Sequence, residues 1–150
     1  GLLKIWIPWF LLSILMYLSL TLAGSRAGSV RFYNLVGWSM LPFAIRSGVQ
    51  VLAMLFARTV VNSPGLSGFI DSSAVGIGAY FRAMLGFIDI YFFFHVFLLL
   101  IGSVPLSGLS RSKAWIATAV SVLIVLLLMA IPGLLASALG GLSLTGGFYF

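Results

Sequence analysis

The chain has 150 residues, of which 62% are hydrophobic and only 7% are charged. A soluble domain carries about 25% charged residues, so this composition excludes a soluble globular protein and indicates a membrane protein. No cysteine is present, which excludes disulfides, thiolate nucleophiles and cysteine metal sites. The formal charge of +6 does not indicate nucleic-acid binding, because the eight basic residues lie singly near the ends of apolar stretches.

Four long apolar stretches follow one another, separated by short polar turns. Each reaches the ~20 residues that a helix needs to cross the hydrocarbon core. The backbone must satisfy its own hydrogen bonds in lipid, so each stretch is predicted to be a transmembrane helix. The stretches are Leu2–Leu22, Trp38–Val60, Met84–Val104 and Trp115–Gly140. The sequence therefore predicts an all-α integral membrane bundle of four transmembrane helices, forming a single domain over residues 1–150.

The connections between these stretches contain most of the helix-breaking residues. Ala23–Asn34 is predicted to be a polar turn, and Pro105–Lys113 a short basic loop. The run Phe69–Ala83 is too polar and too rich in glycine to span a membrane alone. We favour an interfacial helix there, with a re-entrant piece or an extension of the third helix as the alternatives. Pro132 and Gly133 are predicted to kink the fourth helix.

Orientation follows from the basic residues beside the spans. With four helices, the loops at 23–37 and 105–114 share one side of the membrane. Basic residues in short loops favour the cytoplasm, so we place both loops there and both chain ends outside. The cytoplasmic set is Arg26, Arg31, Arg111 and Lys113, and the opposite side holds Lys4, Arg58 and Arg82.

Polar residues inside the predicted spans are the candidates for a buried site. Arg46 and Gln50 are four residues apart, so they lie on one face of the second helix. A contact between Arg46 and Asp89 would form a polar core or a substrate-facing site. Alternatively, Arg46 extends its charged tip to the headgroups, and Asp89 lies near the outer interface with a partner or water.

His95 is the only histidine, and it stands among phenylalanines. We expect it to be a hydrogen-bonded packing residue and not a metal ligand, since no second histidine or cysteine is available. A nucleophile, base and orienting group are not brought together around it by the sequence pattern. The prediction is therefore a chain that is not an enzyme and has no catalytic residues, metal or cofactor.

Small residues recur every four positions on the last helix, at Gly133, Ser137 and Gly141. Such a stripe permits close approach of another helix. Packing within the bundle is the preferred interpretation, and an interface with another subunit is the alternative.

Three passages resemble the Yip1 family of multi-span membrane proteins, in particular its prokaryotic branch. They are AGSVRFYNLVGWSMLPFA at 27–44, FIDIYFFFHVFLLLIGSVPLSGLSRSKA at 87–114, and the apolar final helix. The most specific part is the spacing from Asp89 through the aromatic run to Gly102 and then to Lys113. Phe94 stands where many members have Trp.

The resemblance also concerns topology. The family usually has five spans with a cytoplasmic N-terminus, and a chain that opens at Gly1 instead of Met is expected to have residues upstream. If the first span is that upstream piece, the remaining four start and finish outside the cell, as the arginines indicate.

The resemblance implies a scaffold or adaptor that contacts other membrane proteins, in a multi-pass chain of a prokaryotic cell membrane. The expected partners are membrane lipid and other membrane protein subunits, without nucleic acid. The alternatives are an accessory subunit of a membrane transport or energy-transducing complex, and a small transporter. No inverted repeat or matched pair of broken helices favours the transporter.

Overall fold

The computed structural model describes residues 3–58, 65–71, 73 and 75–143, and over these residues the regular structure is entirely helical. Its helices are α1 (Leu3–Leu22), α2 (Ser29–Ser39), α3 (Leu41–Ala57), a 3₁₀ turn (Gly65–Phe69), α4 (Ile77–Leu85), α5 (Ile90–Ser107) and α6 (Arg111–Ser143). The predicted all-α class is confirmed.

Three helical stretches in the described part of the chain are long and apolar enough to cross a membrane. They are Ser29–Phe56, which joins α2 and α3, Ile90–Ser107, and Arg111–Leu139. The apolar part of α1, Trp6–Leu22, is shorter. The predicted membrane character is therefore supported by three candidate spans, and the fourth span in α1 stays a prediction.

The chain divides into two compact units, one of residues Gly1–Val61 with Ile90–Val125 and the other of Asn62–Asp89 with Leu126–Phe150. Helix α6 contributes its first half to the first unit and its second half to the second. The single domain over 1–150 stays a prediction.

In the first unit, α2 runs antiparallel to α1 and to α5. Tyr17 of α1 lies beside Phe32 of α2, with ring centroids 6.2 Å apart. Leu35 of α2 lies against Gly102 of α5, where a Cβ would clash with the leucine side chain. The interior of this bundle is formed by fully buried side chains, among them Met16, Leu20, Phe32, Val36 and Leu99.

Two turn predictions were wrong in their extent. The predicted turn Ala23–Asn34 ends at Gly28, and α2 begins at Ser29. Phe32 and Val36 are four residues apart and both fully buried, so one apolar face holds this polar segment in a helix. The predicted loop at Pro105 also lies partly in a helix, because α5 continues through Pro105 to Ser107. It ends where Gly108 adopts a positive φ of 68°.

The predicted third span, Met84–Val104, is divided in the structure. Helix α4 ends at Leu85, and α5 begins only at Ile90. The run Phe69–Ala83 contains the end of the 3₁₀ turn and most of α4. Helix α4 is thus a separate short helix, and its predicted interfacial location stays a prediction. Pro132 lies inside α6, which continues past it to Ser143.

Candidate functional site in the helix bundle

The junction of α2 and α3 interrupts the regular backbone hydrogen bonding of the second predicted span. In an α-helix the amide of Phe43 would donate to the carbonyl of Ser39, four residues back. It donates instead to the carbonyl of Met40, at 3.0 Å. Pro42 follows the junction and has no amide proton to donate. The Ser39 carbonyl is therefore released from the helix ladder in a buried position.

His95 of α5 supplies the missing donor. Its Nδ1 lies 2.7 Å from the Ser39 carbonyl oxygen. A carbonyl oxygen only accepts, so Nδ1 carries the proton and donates it. The imidazole is 4% exposed and lies 4.9 Å from the ring of Phe43, between centroids. His95 thus supplies a hydrogen bond to the carbonyl that the interrupted helix leaves free. Side chains of neighbouring helices commonly serve this purpose where a transmembrane helix is interrupted.

Small hydroxyl side chains provide the other polar groups of the interior. Ser121 of α6 lies across from α1, with its Oγ 3.0 Å from Ser19 Oγ and 3.2 Å from the Leu15 carbonyl oxygen. Its Oγ is also 2.9 Å from the carbonyl of Ala117 in its own helix. The hydroxyl of Thr118 is buried without a partner among the described residues. Ser121 and Ser19 thus connect α6 to α1 through hydrogen bonds.

The structure places the other predicted polar candidates, Arg46, Gln50 and Asp89, in half-buried positions. Arg46 and Gln50 are both half-buried on α3, one turn apart, in the first unit. Asp89 is half-buried immediately before α5, in the second unit. The predicted Arg46–Asp89 contact stays a prediction.

The C-terminal part of α3 is the least covered apolar helix of the first unit. From Ala44 onward most side chains are exposed on every face of the helix. The large apolar ones are Ile45, Val49, Val51, Leu52, Met54, Leu55 and Phe56. Residues 51–56 are apolar and exposed on every face of the helix, a pattern that belongs in lipid or against another protein.

The phenylalanine band of α5 borders an open apolar groove of about 460 Å³. All of its lining residues belong to α5 itself, namely Ile90, Phe93, Phe94, Val96, Phe97 and Leu100. Small-molecule sites are usually enclosed by several elements. This groove is therefore a depression in one face of α5.

The small-residue stripe of α6 lies against α4 in the second unit. A Cβ added at Gly133 would lie 2.5 Å from the Cβ of Ala83. One turn further, the Ser137 hydroxyl accepts a hydrogen bond from the amide of Gly76 at 2.9 Å. Gly133 and Ser137 thus allow close packing within this unit. The third predicted residue of the stripe, Gly141, lies outside the residues whose side-chain environment the structure describes.

Several residues of this interior were missed by the sequence analysis, above all Ser39 and Ser121. A proline at 42 could have indicated a nearby carbonyl that needs a donor, and His95 was the available one. Serines give no comparable signal, because they occur on lipid-facing and buried positions alike.

Within the described part of the chain, no group of three or more His, Cys, Asp or Glu residues could hold a metal ion. Comparison of the chain with known protein families, with curated proteins and with solved structures finds no match.

Proposed function

We propose that this chain is a non-catalytic multi-span membrane protein that acts as a scaffold or adaptor through helix-to-helix contacts. The exposed apolar surface of α3 between Ala44 and Phe56 is the main support. Gln50 places an amide group on this helix, and such groups commonly form hydrogen bonds between transmembrane helices. Helix α3 would therefore be the principal contact surface for another membrane protein.

The non-catalytic part of the proposal is supported by the hydrogen bonds that buried polar side chains form with backbone carbonyls. The Nδ1–H of His95 donates a hydrogen bond to the Ser39 carbonyl, so this ring supports the fold of α2 and α3. Ser121, Ser103 and Ser13 all donate to, or lie within hydrogen-bond distance of, carbonyls of nearby helix residues. Polar groups that are engaged by backbone carbonyls favour a structural role, which supports the non-catalytic part of the proposal.

The proposal includes kinship with the Yip1 family, supported by the passage from Asp89 to Ala114. An accessory subunit of a transport or energy-transducing complex would use α3 in the same way. The identity of the protein bound at α3 distinguishes an adaptor from such a subunit.

A photocrosslinking amino acid placed at Leu52 or Leu55 tests the proposal in native membranes. We expect a discrete adduct with one other membrane protein, since both side chains are exposed on α3. The matched control is Leu123 on α6, which is similarly exposed at 54% and should give lipid adducts only. Adducts with lipid alone at all three positions, or only with a second copy of the chain, would overturn the scaffold proposal.

A further inference from the structure

The loops that join α1 to α2 and α5 to α6 lie against each other at one end of the first unit. The Ser25 hydroxyl donates to the Ser107 carbonyl at 2.8 Å, and both residues are buried. A Cβ at Gly24 would be 3.9 Å from the Leu109 side chain. These contacts bring the first turns of α2 and α6 to the same end of the bundle.

Four basic side chains are concentrated there, and all are exposed: Arg26, Arg31, Arg111 and Lys113. We refer to these four residues as the basic end. The chain has only two acidic residues, Asp71 and Asp89, and both belong to the second unit. No carboxylate within these two loops offsets the four positive charges.

Directly below the basic end, α6 presents an interfacial and then an apolar surface. The guanidinium of Arg111 lies 5.4 Å from the ring centroid of Trp115. The indole N–H of Trp115 donates to the Leu100 carbonyl at 3.1 Å, so the ring spans α5 and α6. Ile116 is 65% exposed on the next part of the helix. Cations above a tryptophan and an apolar surface match the headgroup and chains of a phospholipid.

We propose that the basic end binds the phosphate headgroup of an anionic phospholipid, whose acyl chains lie along Ile116 and the neighbouring exposed face of α6. Each basic residue near the surface adds about fivefold to the preference for anionic lipid. The site goes beyond the general attraction of cytoplasmic loops for lipid because the Ser25–Ser107 hydrogen bond fixes two loops together. It is independent of the scaffold proposal, since it requires only that the chain spans a membrane.

Trp115 provides a direct reporter of this lipid. The full chain, with Trp6, Trp9 and Trp38 changed to Phe, is reconstituted in vesicles that contain a minor fraction of brominated lipid. Brominated phosphatidylglycerol should quench Trp115 fluorescence more strongly than the same amount of brominated phosphatidylcholine. Native mass spectrometry of the unaltered chain provides a second measurement, in which phosphatidylglycerol should be retained in preference to phosphatidylcholine.

Charge variants separate a defined site from nonspecific attraction. Changing Arg26 and Lys113 together to Gln should lower the preference for phosphatidylglycerol by roughly 25-fold, since each charge contributes about fivefold. The matched control Arg58→Gln removes an exposed charge outside the basic end and should leave the preference unchanged. Equal quenching by both lipids would overturn the proposal, as would an equal loss in Arg58→Gln. Displacement by inorganic phosphate would assign the cations to free phosphate instead.

Discussion

Replacing His95 by leucine should destabilise the folded chain by about 1–3 kcal/mol, the cost of leaving a buried carbonyl without its donor. The Ser39 carbonyl would then face an apolar interior after its own helix has released it. The measurement is unfolding in detergent micelles followed by helical circular dichroism. Phe94→Leu is the matched control, since Phe94 is the preceding residue and is 55% exposed.

A second variant tests the reason for that loss. Pro42→Ala restores an amide proton and permits α2 and α3 to join as a regular helix, in which Phe43 donates to Ser39. In this background, His95→Leu should cost clearly less than in the unaltered chain. An equal cost in both backgrounds would show that His95 acts through packing, not through the released carbonyl.

Gly133→Ala should also be strongly destabilising, by about 1–3 kcal/mol, because the new methyl group overlaps a rigid neighbour. The added Cβ would lie 2.5 Å from Ala83 Cβ, and neither side chain can rotate away. Helix α4 would have to move away from α6. Detergent unfolding measures the loss in the same way as for His95.

Two further variants give this prediction its controls. Gly48→Ala on α3 places the same methyl group in open space, and it should be stabilising by up to about 1 kcal/mol through helix propensity. Ala83→Gly should restore part of the stability lost in Gly133→Ala, because it removes the opposing methyl group. Similar losses for Gly133→Ala and Gly48→Ala, without rescue, would contradict close packing of α4 on α6.

Hydrophobic length predicted the all-helical class and three of the four proposed spans, because the hydrocarbon core fixes the number of residues that a span needs. It predicted their ends less well. Ser29–Asn34 is polar in composition, yet the burial of Phe32 and Val36 extends α2 over it. The interruption at Met40 depends on which amide donates to which carbonyl, and hydropathy does not report that.

For the candidate site, the sequence indicated the character of single residues but not which residues contact each other. His95 was recognised as a packing residue, but its partner is a backbone carbonyl, and backbone acceptors look alike in a sequence. The contact between the loops at Ser25 and Ser107 depends on tertiary structure in the same way. Gly133 and Ser137 were recognisable because a regular spacing of small residues has a direct geometric consequence.

The accessibility of single cysteines measures the membrane topology of this chain, which has no cysteine of its own. Gly28 has open space around a new Cβ, and Ser110 and Ser73 are exposed, so all three accept cysteine. A membrane-impermeant maleimide should label Gly28→Cys and Ser110→Cys from the same side, and Ser73→Cys from the other. Labelling of Gly28→Cys and Ser110→Cys from opposite sides, or of all three from one side, would contradict a bundle that spans the membrane with both basic loops on one face.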